Sequence, residues 1–258
     1  MPKPKKKKSN YTWWLTIPIV VVTLGAVGYV WYTSRLAKEA KFVRYAAFEI
    51  DMPVKYEIHG IDVSKHQSVI YWPAVKKMEV DNIKIGFAFI KATEGLGNVD
   101  RQFRRNWQNA GKANISRGAY HFFIATKSGK AQAKNFISTV KLQPGDLPPV
   151  LDIEQLYGAT PTKMRKEMAD WLTAVEEHYG VKPIIYTYVN FYSRFLHDQF
   201  DDYPLWVAHY LEKNQPRINR PWIIWQHNER GRVNGIQSRV DFNVFNGDSA
   251  DFRQLLVK

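Results

Sequence analysis

The sequence contains no cysteine, and this absence excludes several kinds of chemistry at once. Without thiols, the chain forms no disulfide, binds no metal through thiolates and has no cysteine nucleophile. The absence does not assign a compartment, because many exported bacterial proteins also lack cysteine. Any reactive site is therefore built from other side chains.

Acidic residues are outnumbered, and none lies near the N-terminus. The chain has 37 Lys and Arg against 24 Asp and Glu, which gives a formal net charge of +13. Five lysines lie in residues 1–10, so the remainder carries +8. A basic body favours an anionic partner such as a cell-wall polymer or a membrane surface, or else is a generally solvated basic surface. We expect no nucleic-acid partner, because no binding motif is present and the basic residues are scattered.

Long hydrophobic runs are also rare, and only residues 11–33 reach membrane length. These 23 residues carry no charge, and as a helix they are long enough to cross a bilayer core of about 30 Å. Trp13 and Trp14 lie near one end, and Trp31 and Tyr32 lie near the other. Aromatic residues at both ends are typical of the two membrane interfaces. The pattern predicts a transmembrane helix over residues 11–33.

The lysine cluster sets the expected orientation of this helix. Residues 1–10 are predicted to be a basic cytoplasmic tail under the positive-inside rule. The body then lies outside a bacterial cytoplasmic membrane, behind a mixed-polarity stalk over residues 34–56. A cleaved signal peptide and a secreted chain are the alternative, although the apolar segment is long for a signal peptide. The pattern indicates no particular oligomeric state.

Eight short apolar runs follow, and the first of them alternate with amphipathic helical segments. Such alternation favours parallel strands joined by right-handed crossovers. Eight units predict an irregular (β/α)8-type barrel over residues 57–258, with fewer helices in its second half because the later gaps are short. The predicted strand runs are 57–64, 85–91, 118–123, 148–154, 183–188, 205–210, 222–227 and 240–245.

The fourth run delivers two carboxylates at its end, Asp152 and Glu154. Two residues apart on an extended chain, they point to the same side, with Cα atoms roughly 6.6 Å apart. Two acids on one face repel each other, so one tends to stay protonated near neutral pH. One acid and one anion are what cleavage of a glycosidic bond needs. A helix cap and a salt bridge are the alternative roles for this pair.

Further polar residues fall at the expected C-terminal ends of other strands, where barrel active sites lie. Strands one and eight are neighbours in a closed barrel, so Asp62 and Asp241 are expected to come close. His121 is expected to be a hydrogen-bonded part of the scaffold, and no metal or cofactor is required. The other candidate residues are Tyr120, Tyr186, Trp206 and Gln226.

Together, these motifs resemble glycoside hydrolase family 25, the Chalaropsis-type lysozymes or N-acetylmuramidases. The ordered set of matching stretches spans about residues 57–246. It comprises Gly60-Ile61-Asp62-Val63-Ser64 with Gln67, Phe89-Ile90-Lys91-Ala92-Thr93-Glu94-Gly95, Gly118-Ala119-Tyr120-His121-Phe122, Pro149-Val150-Leu151-Asp152-Ile153-Glu154, Ile185-Tyr186-Thr187, Leu205-Trp206-Val207-Ala208 and Val240-Asp241-Phe242-Asn243.

The resemblance implies an irregular β/α barrel that hydrolyses the β-1,4 bond between N-acetylmuramic acid and N-acetylglucosamine in peptidoglycan glycan strands. It implies that Glu154 is the general acid, Asp152 its companion, and Asp62 and Asp241 the remaining acids of the site. The matching positions make Tyr120, Tyr186 and Gln226 substrate-binding residues. Trp206 is either a sugar-stacking face or a packed barrel residue. The N-terminal anchor departs from many relatives, which are secreted and carry wall-binding repeats.

Several alternatives remain open at this point. We expect burial and Asp152 to raise the pKa of Glu154. Asp152 either stabilises positive charge on the sugar or orients the N-acetyl group for internal attack. In place of a muramidase, the chain is either a non-catalytic, membrane-tethered peptidoglycan-binding module or a glycosidase for another amino-sugar polymer such as chitin.

Overall fold

The computed structural model describes Pro2 and residues 13–38, 41–210 and 212–258. The chain forms two compact units, Met1–Ala40 and Lys41–Lys258. In chain order, the elements are α1 (Trp13–Lys38), β1 (Phe42–Tyr45), β2 (Ile50–Pro53), β3 (His59–Val63), α2 (Trp72–Lys77), β4 (Glu79–Val80), β5 (Ile83–Glu94), β6 (Asn98–Val99), α3 (Phe103–Lys112), β7 (Ser116–Phe122), α4 (Gly129–Thr139), β8 (Val150–Asp152), α5 (Pro161–Tyr179), β9 (Ile184–Tyr188), α6 (Val189–Phe191), β10 (Leu205–Ala208), β11 (Ile224–Gly231), β12 (Val240–Phe245) and α7 (Ser249–Leu255).

The described residues of the first unit form helix α1, which includes Pro18. The apolar side chains between Ile17 and Trp31 are exposed. Within the described residues, no helix combines the length and the apolar character that a bilayer crossing requires. Tyr11 and Thr12, the first residues of the predicted span, lie outside that part of the chain, as does the basic tail apart from Pro2.

In the second unit, eight strands close into a barrel, as the sequence predicted. The strand order is β3-β12-β11-β10-β9-β8-β7-β5, and a further pairing of β3 with β5 closes the ring. Helices α2 to α5 alternate with the first strands, whereas in the described chain β9 is followed by α6, short π- and 3-10 turns and the terminal helix α7. The expected loss of helices in the second half is confirmed.

The last strand corrects one expectation, because β12 runs antiparallel to both of its neighbours. The other barrel strands pair in parallel, for example β10 with β11. The cause is the short connection between β11 and β12, residues 232–239. A parallel crossover needs about a dozen residues or more, so this connection makes only an antiparallel return.

The segment predicted to be a stalk, residues 34–56, differs from expectation. Its residues 41–56 belong to the barrel unit and form an antiparallel hairpin of β1 and β2. Phe48 between the strands is fully buried, and it packs in a T-shaped arrangement with Phe242, with ring centroids 5.5 Å apart. Because Asn243 points into the barrel, Phe242 points outward. The hairpin therefore covers part of the outer face of the barrel at β12.

Aromatic rings fill the lower interior of the barrel, and two strand glycines make room for them. Phe87 and Phe89 on β5 are fully buried. A Cβ atom at Gly60 would lie 2.4 Å from the Phe87 ring, and one at Gly118 would lie 2.3 Å from the Phe89 ring. These rings fill the interior on the side away from the polar cavity, which lies where the parallel strands end.

Candidate active site

A polar cavity of about 250 Å³ opens at the C-terminal ends of the barrel strands. All eight residues predicted from the sequence line it, and they come from β3, β7, β8, β9, β10, β11, β12 and the segment after β8. The cavity also contains residues that the sequence did not single out for the site. These are Ser64, His66, Lys91, Phe122, Tyr210 and Glu229.

The end of β8 places the two central carboxyl groups. Asp152 is the last residue of the strand, and the backbone N–H of Ile153 donates to the carbonyl oxygen of Tyr186 at 3.0 Å. This bond keeps the chain extended for one more residue, so Asp152 and Glu154 reach the same cavity. Asp152 is 6% exposed, whereas Glu154 is partly exposed. Glu154 is therefore the more accessible of the two.

Burial is the largest influence on the pKa values of both Asp152 and Glu154. Burial raises the pKa of Asp152 well above its usual range, and the negative charge of Glu154 raises it further. Burial also raises the pKa of Glu154, but the hydrogen bond with Asp152 lowers it. This differs from the expectation that Asp152 raises the pKa of Glu154. In the free site, Asp152 donates the shared proton and Glu154 accepts it, because Asp152 is the more deeply buried.

Lys91 moderates the negative charge of this pair. It is the last residue of β5 that points inward before the strand bulges at Thr93. Its Nζ atom donates to Oε2 of Glu94 at 2.7 Å, and its positive charge lowers the pKa of both Asp152 and Glu154. Inward alternation along β5 was the sequence signal that would have found it.

Asp62 and Asp241 form the second acidic pair, at the antiparallel seam. They are direct partners in the register of β3 and β12. Oδ2 of Asp62 accepts hydrogen bonds of 2.8 Å from Gln226 Nε2 and from Asn243 Nδ2. Burial raises the pKa of Asp62 to about 6, and these bonds oppose the increase. Burial and the adjacent Asp62 charge raise the pKa of Asp241 to about 9. Near neutral pH, Asp241 therefore holds a proton and donates it to Asp62.

Two tyrosines fix the orientation of Gln226. The hydroxyl of Tyr186 donates to Gln226 Oε1 at 2.8 Å, and that of Tyr210 donates at 2.5 Å. With its oxygen occupied, Gln226 must turn its N–H toward Asp62. Tyr186 and Gln226 thus belong to a network that holds Asp62, and Tyr210 joins it from the loop after β10. The predicted sixth strand, residues 205–210, ended at Tyr210, but Tyr210 was not singled out as a site residue; the observed strand ends at Ala208.

Trp206 is packed into the barrel at the base of the cavity. Trp206 is 2% exposed and stacks on Phe89, with ring centroids 4.6 Å apart. Its Nε1 donates to Asn243 Oδ1 at 2.8 Å, so Trp206 orients the amide that binds Asp62.

Burial and the surrounding acids, Asp62 first among them, raise the pKa of Tyr120 well above its usual range. Its phenol stays protonated and is a hydrogen-bond donor.

His121 lies outside this cavity, as part of the scaffold. Its Nδ1 is 2.7 Å from Thr93 Oγ1 and its Nε2 is 3.2 Å from Gln132 Oε1. The imidazole also stacks on Trp171. Among the residues that the structure describes, no group of acidic and histidine side chains is arranged to hold a metal ion.

A closed β/α barrel with paired carboxyl groups at the end where its parallel strands finish and antiparallel β12 begins has the architecture and the site of a glycoside hydrolase. The family described as "Glycosyl hydrolases family 25" matches residues 61–236. The chain belongs to this family, and it is a glycoside hydrolase.

Individual relatives agree with this assignment. Escherichia coli K12 has a protein named "Uncharacterized protein YegX" that is 46% identical over 201 residues, 78% of this chain and 74% of that protein. Lysozyme M1 of Streptomyces globisporus is 36% identical over 208 residues, 75% of this chain and 69% of the lysozyme. The structure of a family 25 glycosyl hydrolase from Bacillus anthracis is similar with a TM-score of 0.73 at 33% identity, covering 81% of this chain and 98% of that one.

Proposed function

We infer that the protein is a peptidoglycan hydrolase that cleaves the β-1,4 bond between N-acetylmuramic acid and N-acetylglucosamine. The observation that carries this proposal is the pair of Asp152 and Glu154, two neighbouring carboxyl groups that line an open polar cavity and whose pKa values burial raises. The similarity to Lysozyme M1 supports peptidoglycan as the substrate.

Glu154 is proposed as the general acid. It is the more accessible member of the pair, so it reaches the glycosidic oxygen more easily than Asp152 does. Burial raises its pKa, which favours a protonated carboxyl near neutral pH. Glu154 gives its proton to the leaving oxygen as the bond to the sugar C1 breaks, and its carboxylate then takes a proton from the attacking water.

Asp152 is proposed to orient the N-acetyl group of the substrate. Its Oδ1 atom is buried and has no hydrogen-bond partner within the described residues, so it is available to accept a bond from the amide N–H of the sugar. That bond stabilises the anionic form of Asp152, which moves the shared proton to Glu154. The amide oxygen then attacks C1, as in substrate-assisted glycosidases.

The seam carboxyl groups are proposed to support this pair. Protonated Asp241 and anionic Asp62 together carry one negative charge, which stabilises a positively charged sugar ring in the transition state. Tyr120 is proposed to contact the substrate through its hydroxyl. Tyr186 and Gln226 act on Asp62, and Trp206 acts through Asn243.

Digestion of purified peptidoglycan tests the assignment. The expected products carry N-acetylmuramic acid at the new reducing end, identified by mass spectrometry. Release of N-acetylglucosamine reducing ends would contradict the bond assignment. Binding without any new reducing end would favour a binding module, and faster hydrolysis of chitin than of peptidoglycan would favour the other amino-sugar polymer.

Membrane anchoring through residues 11–33 is a separate proposal, and it rests on the sequence. The support is an uncharged segment preceded by five lysines. The barrel unit would then face the periplasm or cell wall. Fractionation of cells tests it: full-length protein in the membrane fraction, released by detergent but not by high salt, is expected. A shortened, freely soluble form in the medium would indicate signal cleavage instead.

A further inference from the structure

A second groove of about 580 Å³ lies directly beside the acidic cavity. His66 and Lys91 line both, so the two spaces share a boundary. The second groove also contains Lys65 and Arg101, and its lining is therefore more basic than that of the cavity. A glycan strand in the cavity would place its substituents within reach of this groove.

The acids of the groove are already committed to other partners. Asp100 is buried, and its carboxylate accepts backbone N–H bonds of 2.8 Å from Lys65 and from Gln102. Glu94 is paired with Lys91 at 2.7 Å. Glu94 offsets the charge of Lys91, whereas Asp100 keeps its negative charge, so with Lys65 and Arg101 the lining carries one more positive than negative charge.

Those two side chains are exposed cations without a partner in the described part of the chain. Both residues are exposed, and neither side chain takes part in a hydrogen bond or ion pair there. The bond from the Lys65 backbone to Asp100 ties the turn after β3 to the loop before α3. Lys65 and Arg101 are thereby held on one wall, beside the cavity.

We propose that this groove binds the carboxylates of the stem peptide on a muramic acid residue next to the cleaved bond. The proposal rests on the function inferred above. In peptidoglycan, the stem peptide hangs from the lactyl group of muramic acid and carries free carboxylates. A guanidinium and an ammonium side by side suit such groups, the guanidinium through paired hydrogen bonds. The enzyme therefore prefers peptide-bearing strands to bare glycan.

The test compares peptidoglycan with the same strands after removal of the peptides by an amidase. Wild-type protein is expected to show a kcat/KM about three- to tenfold higher on peptide-bearing strands, the size expected for two exposed ion pairs. The variant Lys65→Gln/Arg101→Gln is expected to lose this preference through KM while retaining its rate on bare strands. The preference should also shrink at high salt.

The matched control is Lys130→Gln/Lys134→Gln, which removes the same charge from exposed positions of α4. It is expected to keep the preference. An unchanged preference in the Lys65/Arg101 variant, or an equal loss on both substrates, would overturn the proposal. The proposal would also be overturned if kcat/KM were higher on peptide-free strands that carry a phosphate polymer than on peptide-bearing strands. If wild-type protein releases no reducing ends from either substrate, the proposed function itself fails instead.

Discussion

Asp62 and Asp241 face each other across the antiparallel pair of β3 and β12, and they differ in protonation near neutral pH. The difference arises because Asp62 accepts two amide hydrogen bonds, whereas Asp241 lies beside the resulting anion. The antiparallel return of β12 creates this pair. The seam of the barrel therefore contributes one anion and one neutral hydrogen-bond donor to the site.

Replacement of Asp241 by Asn tests this distribution of protons. Asn preserves a neutral donor toward Asp62, so we expect a loss of activity below about tenfold near neutral pH. In contrast, Asp62→Asn removes the anion, and we expect a considerably larger loss of activity. Initial rates on peptidoglycan measure both, and an equal loss in the two variants would contradict the assignment.

Asp241→Asn is also expected to change how the stability of the protein depends on pH. The folded pKa of Asp241, about 9, exceeds its unfolded value, so the native state binds more protons between about pH 4 and pH 9. The contribution of Asp241 to stability is present below pH 4 and is lost as the pH rises through 9. Asp241→Asn should therefore raise Tm more at pH 8 than at pH 4.5. Thermal unfolding checks this, and a Tm difference that is constant with pH would argue against a raised pKa.

Asp152→Asn tests the orientation of the substrate amide. Asn cannot become the anion that accepts the sugar N–H, so kcat is expected to fall about 10²-fold or more on N-acetylated strands. On de-N-acetylated strands, kcat of the wild-type protein should already be low, and the Asp152→Asn substitution should lower it little further. Equal losses on both substrates, measured as a double-mutant cycle, would instead favour direct charge stabilisation by Asp152.

Tyr210→Phe tests the network around Gln226. The change removes one of the two hydroxyl groups that orient the Gln226 amide, and we expect kcat to fall about two- to tenfold. Tm should change little, because Tyr210 is exposed. Tyr188→Phe is the control, since Tyr188 is also exposed but lies outside this network. Wild-type kinetics in Tyr210→Phe would show that the Tyr210 hydroxyl is not needed to orient Gln226.

Phe48→Ala tests the hairpin as part of the barrel unit. Phe48 is fully buried, and truncation of a buried Phe costs about 3–5 kcal/mol. Denaturant unfolding is expected to show this loss, while kcat of the folded protein stays the same. Arg44→Ala on the same hairpin should cost less than about 1 kcal/mol, because its ion pair with Asp51 is exposed. Similar values for both variants would mean that the hairpin does not stabilise the barrel.

The sequence predicted the barrel because its strands are short apolar runs whose burial leaves a strong pattern. Phe48, Ile50 and Met52 alternate with polar residues, which is the pattern of a half-buried strand. The hairpin was missed because the mixed polarity of the whole segment was interpreted as a stalk. The direction of β12 depends on the short connection of residues 232–239; the short late gaps predicted the loss of helices, but the reversal of this strand was not drawn from them. The four acids were found at strand ends, where position predicts a site. Lys91 could have been found from the inward alternation of β5, whereas Tyr210 acts through a contact with Gln226 on another element, and such a contact has no local pattern.

The central claim is that Glu154 donates the proton that releases the leaving sugar, and Glu154→Gln tests it most directly. Gln keeps the size of the side chain but cannot donate that proton. The rate of formation of reducing ends from peptidoglycan should fall by about 10²- to 10⁴-fold, with Tm unchanged or slightly raised. A folded Glu154→Gln protein that hydrolyses peptidoglycan at nearly the wild-type rate would contradict the account.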